Sequence, residues 1–251
     1  MQRQGSVGHI ILVLSCLVFL VVPTTATWVT PSLHAIPKDT TSDGARPYLS
    51  HITVPLLQYY LGTLCGFGPR YTGTVNNTLA SEFIYNSFKG LGYQVEYQPW
   101  KHGKFKSRNV VATLPGLLPD SDGVYIVSGH FDTVKPAPGA DDDGSGAMAV
   151  LAIADALKGL TLNHTVRFIT FSGEEVGTLG SFAYAENASE HDENIIAVLN
   201  MDMIGYANTP DGGRILRFFP PQRSEWIAQY ATQICAQYQD VVNLSIETLP
   251  N

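Results

Sequence analysis

Three short apolar runs, each stopping at residues able to hold a cation or move a proton, constrain this chain more than any other feature. They run from Val124 to Asp132, from Val166 to Glu175 and from Ile195 to Asp202. β-Branched, and bounded by glycine or polar residues, they predict buried strands separated by helical segments. The fold class implied is α/β, with a mixed, mainly parallel central sheet between helical layers in a three-layer sandwich. Ligands in such sheets bind outside the carboxyl ends of the strands. His130, the Glu174–Glu175 pair and Asp202 fall at those ends, so residues far apart in sequence are expected on one rim.

Between the first two runs lies an acidic, glycine-rich loop, Pro138 to Gly146, which carries Asp141, Asp142 and Asp143. It opens the alanine-rich segment Ala147 to Leu157, whose small leading residues let a helix start close to the rim. One neutral imidazole with several carboxylates is a donor set suited to zinc, with manganese or cobalt disfavoured more by availability than by chemistry. A calcium loop of the helix-loop-helix type would need alternating rather than consecutive acids.

The rest of the chain reads as support. Its 251 residues suffice for one α/β domain, here 47–251, and its net charge of −7, without a basic cluster, argues against nucleic acid or anionic membranes as partners. Residues 1–26 have the form of a secretory signal: basic Arg3, apolar Ile10 to Val22, then Thr24, Thr25 and Ala26. That apolar run is short of the roughly 20 residues a spanning helix needs, so an extracellular protein without a stable membrane anchor is expected. Sequons at Asn76, Asn163, Asn187 and Asn243 are compatible with a glycoprotein. Cys65 and Cys235 either pair in an oxidising compartment or stay as small buried hydrophobes.

Residues 27–46 lack periodicity and read as a linker or short pro-segment. Helices are predicted from Pro55 to Leu64, Asn77 to Leu91, Ala147 to Leu157, Thr178 to Ala185 and around Trp226 to Tyr238. Tyr93 to Tyr97 and Asn109 to Leu114 suggest an antiparallel edge pair; further on come a brief apolar run, Ile215 to Phe219, and one more strand at Val241 to Ile246. His102, His164 and His191 have no supporting neighbours and are read as surface residues. Met203 and Tyr206 are placed either in a substrate pocket or in the core.

Four ordered motifs carry a resemblance: Gly129 to Asp132, Pro138 to Gly146, Ser172 to Ser181 and Asn200 to Gly205. Together they resemble the secreted two-zinc aminopeptidases of the twenty-eighth metallopeptidase family, which includes bacterial and fungal leucine aminopeptidases. The match runs from about Asn109 to Tyr206. The resemblance implies that His130, Asp142 and Asp202 bind the first zinc, with Asp142 bridging to a second held by Glu175. Asp132 would orient the His130 imidazole, Glu174 would act as general base, and the Asp142–Asp143 peptide would be cis. Substrates would be peptides with a free N-terminus.

The family completes its second zinc with a histidine far downstream, whereas no histidine follows His191 here. The resemblance therefore implies a C-terminally truncated chain, lacking the last strands and helices and leaving a sheet edge unpaired. Whether such a chain is active stays open. Two other readings share the fold: a single-zinc glutaminyl cyclase, and a non-catalytic binding module.

Overall fold

The computed structural model describes residues 44–250. The leader expected at 1–26, and the linker as far as residue 43, lie outside the described residues. Two compact units are formed, Thr53–Ile204 and the described parts of Met1–Ile52 and Gly205–Asn251. The latter opens with a single helical turn, α1 (Arg46–Leu49).

Thr53–Ile204 holds the three apolar runs. It begins with α2 (Val54–Gly66), capped by Thr53, whose hydroxyl accepts the Leu56 N–H at 3.3 Å, with Pro55 in the first turn where no donor is needed. α3 (Val75–Gly90) starts the same way, from Thr74 to the Asn77 N–H. Leu57, Tyr60 and Leu64 on α2, and Ala80, Ile84 and Phe88 on α3, are buried at the three- and four-residue spacing of a single helix face. Complete burial of Leu64, Ile84 and Phe88 contributes roughly 1.5–3 kcal/mol each relative to exposure.

The sheet strands are β1 (Gln94–His102), β2 (Phe105–Leu114), β3 (Val124–His130), β4 (Thr165–Phe171) and β5 (Ile195–Asn200). Their spatial order is β1-β2-β4-β3-β5. β3, β4 and β5 run parallel, while β2 is antiparallel to both β1 and β4, so only β2 opposes the common direction. The mixed sheet and its antiparallel edge pair match the expectation, although β1 and β2 both extend further. β1 continues through Pro99 because it is an edge strand, where a residue without an N–H is tolerated. β5 forms the other edge, with Val198 46 % exposed.

Helices cover both faces. α3 and α4 (Gly144–Leu157) pack on one face, where Phe168 stacks against Phe88 and meets Tyr93 edge-on, and the Tyr93 hydroxyl donates to the Ala154 carbonyl at 2.6 Å. α5 (Leu179–Glu190) covers the other, its Tyr184 and Ala188 packing with Val111, Val124, Ile126, Ile169 and Phe171. Nearly every residue of α4 is buried, which suits a helix half of whose residues are alanine or glycine.

After Ile204 the second unit resumes with β6 (Ile215–Phe218), α6 (Glu225–Gln237), α7 (Gln239–Val242) and β7 (Ser245–Thr248), β6 pairing parallel to β7. The strand expected at Val241 to Ile246 is displaced. Asn243 takes a left-handed conformation (φ 46°) that ends α7 and lets β7 begin only at Ser245. Within this unit Arg46 forms a two-pronged pair with Asp240, at 2.9 and 3.0 Å. Cys65 and Cys235 are both free thiols.

Candidate metal centre

Because β3, β4 and β5 are adjacent and parallel, their carboxyl ends deliver side chains to one place. His130 is the last residue of β3, Glu174 and Glu175 follow β4 after a Ser172–Gly173 turn, and Asp202 follows β5. Asp142 arrives from the loop that opens α4. Ligand atoms of His130, Asp142 and Asp202 lie within 4.8 Å of one another, the one group of this kind among the described residues. His130 Nε2 is 3.3 Å from Asp142 Oδ1 and 3.9 Å from Glu174 Oε2.

The far side of the His130 ring faces Asp132. Nδ1 is buried without a formed hydrogen bond, 3.5 Å from Asp132 Oδ1. Asp132 is fully buried, and both its oxygens are occupied: Oδ1 by the Glu174 N–H at 3.1 Å, Oδ2 by the Thr72 hydroxyl at 2.8 Å and the Glu175 N–H at 3.2 Å. One carboxylate therefore stands behind the imidazole and under both glutamates. Glu175 is not in the three-residue group; its Oε1 accepts the Val134 N–H at 3.1 Å.

Electrostatics follow from packing so many carboxylates around one ring. Burial pulls the His130 imidazole down, but Asp132, Asp143 and Asp202 outweigh it and the pKa is pushed up to about 9. Burial, reinforced by neighbouring carboxylates, raises Glu174, Glu175 and Asp202 above the ordinary carboxylate range. Such a cluster stores negative charge that a divalent cation would neutralise. A buried imidazole whose Nε2 faces carboxylates, its other nitrogen backed by a carboxylate, is also a donor set that fits zinc.

Three supporting groups escaped the sequence reading. Asp143, fully buried, accepts the His130 N–H at 3.0 Å and the Gly146 and Met203 N–H groups at 2.8 and 3.2 Å, tying the exits of β3 and β5 to the start of α4. An aspartate just before an apolar, glycine-led helix is an N-cap signal that would have marked it. Asn77 donates to the Ser172 hydroxyl at 3.0 Å, steadying the turn before Glu174. Arg70 is a fully buried arginine in a Gly-Pro-Arg loop, and nothing in the sequence distinguishes it from an exposed one.

The other expectations resolve individually. The Asp142–Asp143 peptide is cis. His102 and His191 are exposed, and His164 is half-buried, edge-on to the Tyr125 ring at 5.6 Å. Met203 and Tyr206 are 57 % and 73 % exposed, which excludes core packing. Of the sequon asparagines, Asn163, Asn187 and Asn243 are exposed, whereas Asn76 is half-buried and donates to the Pro69 carbonyl at 3.2 Å. Among the described residues no helix is long and apolar enough to cross a membrane.

The pattern of Peptidase family M28 matches residues 109–248. Leucine aminopeptidase 1 of Coccidioides posadasii is 30 % identical over 218 residues, covering 77 % of this chain and 53 % of the relative. The chain spans little more than half the length of the curated relatives it matches. Legionella pneumophila LapA aminopeptidase superposes with a TM-score of 0.74 at 18 % identity, covering 91 % of this chain and 62 % of that one. Porphyromonas gingivalis glutaminyl cyclase gives 0.61 at 19 % identity, covering 80 % and 84 %.

Proposed function

The chain belongs to peptidase family M28, and on that premise we propose that it is a secreted zinc aminopeptidase that removes single residues from the free N-termini of peptides. The observation that carries this reading is the convergence of His130, Asp142 and Asp202 at one strand-end rim, with Glu174 Oε2 beside them. His130, Asp142 and Asp202 would hold one zinc, and Asp142 with Glu175 would contribute to a second. Zinc bound there supplies Lewis acidity, acidifying water and stabilising negative charge on the scissile carbonyl.

The chain's own residues do the rest. Asp132 stands 3.5 Å behind His130 Nδ1, backing the ring, and through the Glu174 and Glu175 amides it anchors the backbone that carries both glutamates. Glu174, whose carboxyl burial and its acidic neighbours raise, takes a proton from the attacking water and returns it to the leaving amine. The crowd of carboxylates also attracts the free α-ammonium group of a substrate. Secretion is supported by the leader-like residues 1–26, and glycosylation by the exposed sequons at Asn163, Asn187 and Asn243.

The test is hydrolysis of leucyl-p-nitroanilide and of its N-acetylated form by the zinc-loaded chain. Turnover of the free amine alone, abolished by chelation, is expected; turnover that survives either acetylation or chelation would count against the reading. A single-zinc glutaminyl cyclase is the second reading, favoured because the described residues contain a single three-ligand group. Release of pyroglutamyl peptide from an N-terminal glutamine substrate, without leucyl-anilide hydrolysis, would select it.

A further inference from the structure

Arg70 lies in the loop joining α2 to α3, at 0 % exposure, with no carboxylate in ion-pair contact among the described residues. Its guanidinium is spent instead on main-chain carbonyls. Nε donates to Phe131 at 2.7 Å, Nη2 to Gly139 at 3.0 Å, and Nη1 to Pro138. Its own N–H donates to the Thr133 hydroxyl at 2.8 Å.

These acceptors bracket a single loop. Phe131 sits between His130 and Asp132, at the exit of β3. The Gly139 carbonyl also accepts the Gly144 N–H at 3.0 Å, closing the turn that carries Asp142. A Cβ at Gly139 would lie 2.3 Å from the Asp142 carbonyl and 3.2 Å from Arg70 Nη2, so the guanidinium, the turn and the ligand-bearing residue are packed without slack. From Thr133 the chain passes to Val134, whose N–H holds Glu175.

We propose that Arg70 is a positioning residue of the metal centre, its guanidinium fixing the span from Phe131 to Gly139 so that His130 and Asp132 at one end stay in register with Asp142 at the other. The proposal rests on the reading that these residues hold a metal, and not on the reaction they perform. Desolvation makes an arginine costly here, and an apolar side chain in its place would leave the Phe131 and Pro138 carbonyls without the donors they have now and Gly139 with the Gly144 N–H alone. The planar fork is what one ammonium cannot replace, because a lysine reaches one or two of those carbonyls but does not span them with fixed geometry.

Arg70→Lys and Arg70→Met in the full chain test this by two readouts. In the metal-free protein, amide exchange at Gly144 accelerates about tenfold or more while Phe168 in β4 keeps its protection. On cobalt loading, affinity falls about tenfold and the visible absorption bands shift, because ligand geometry has changed. Unchanged Gly144 exchange with unchanged cobalt spectrum and affinity in a folded variant would overturn the proposal. So would faster exchange throughout the sheet, or failure of both variants to fold, since each assigns Arg70 to the fold alone. If the parent chain takes up no metal, the metal reading fails, and Gly144 exchange still decides whether Arg70 holds the turn.

Discussion

Replacing Asp132 with asparagine probes the centre at its most connected point. The carboxylate accepts at both oxygens, from the Glu174 N–H on Oδ1 and from Thr72 and the Glu175 N–H on Oδ2. Asparagine keeps the shape but turns one acceptor into an NH2 donor. With that group in the Oδ1 position the Glu174 N–H faces a donor; in the Oδ2 position the Glu175 N–H does, while the Thr72 hydroxyl can rotate to accept. Either way one buried N–H loses its acceptor, at a cost of about 1–3 kcal/mol. For a domain of this size that lowers Tm by roughly 2–12 °C. The charge behind His130 Nδ1 is lost as well, and removal of such a partner weakens metal binding about 10–100-fold, or about 1.4–2.7 kcal/mol. Thermal unfolding of the metal-free protein measures the first effect, and competition with a chelator for zinc the second. An Asp132→Asn protein that keeps the parent Tm and binds zinc within about twofold of the parent would refute the reasoning.

Glu174→Gln is expected to lower turnover about 10²–10⁴-fold with zinc content unchanged, because it removes a base and not a ligand; loss of zinc measured by elemental analysis would contradict that role. Asp142→Asn weakens both metals, and two tightly bound zincs in that variant would show that another group bridges. Proton competition gives a pH signature. The His130 imidazole, at about 9 without metal, is protonated below that pH and must be neutral to bind, so zinc affinity rises with pH up to about 9. At neutral pH zinc uptake therefore releases a proton, which calorimetry in buffers of different ionisation enthalpy detects; buffer-independent heats would exclude it. In Gly146→Ala, the added Cβ would fall 2.4 Å from the Met201 carbonyl and 2.5 Å from Asp143 oxygens. Stability drops by about 1–3 kcal/mol, visible as a lower Tm in the metal-free protein, because neither neighbour is free to move away.

What the sequence disclosed was whatever has a period or a punctuation mark. β-Branched runs ending at His130, Glu174 and Asp202 announce buried parallel strands, and parallel strands send their ends to one rim, so the convergence of those residues was legible before any coordinates, whereas Asp142 entered the site only through the family resemblance. Lengths were less so. Pro99 reads as a strand stop unless the strand is known to be an edge, and Asn243 gives no warning that it will adopt φ 46° and delay β7.

The supporting shell was the least legible. Arg70, Thr72 and Asn77 look like ordinary loop and helix-start residues, and their importance comes from partners more than fifty positions away, in Phe131, Asp132 and Ser172. Local propensity carries no record of such contacts. Asp143 lies between these cases, since its capping role is written in the following glycines but its bond to the His130 N–H is not.

The central claim, that His130, Asp142 and Asp202 form a zinc centre, is tested most directly by zinc K-edge X-ray absorption on the zinc-loaded chain and on His130→Ala. The account predicts a first shell of nitrogen and oxygen at about 2.0–2.2 Å with the outer-shell scattering of an imidazole, lost together with tight binding in the variant. Sulfur scatterers at about 2.3 Å, or an unchanged spectrum in His130→Ala, would contradict it.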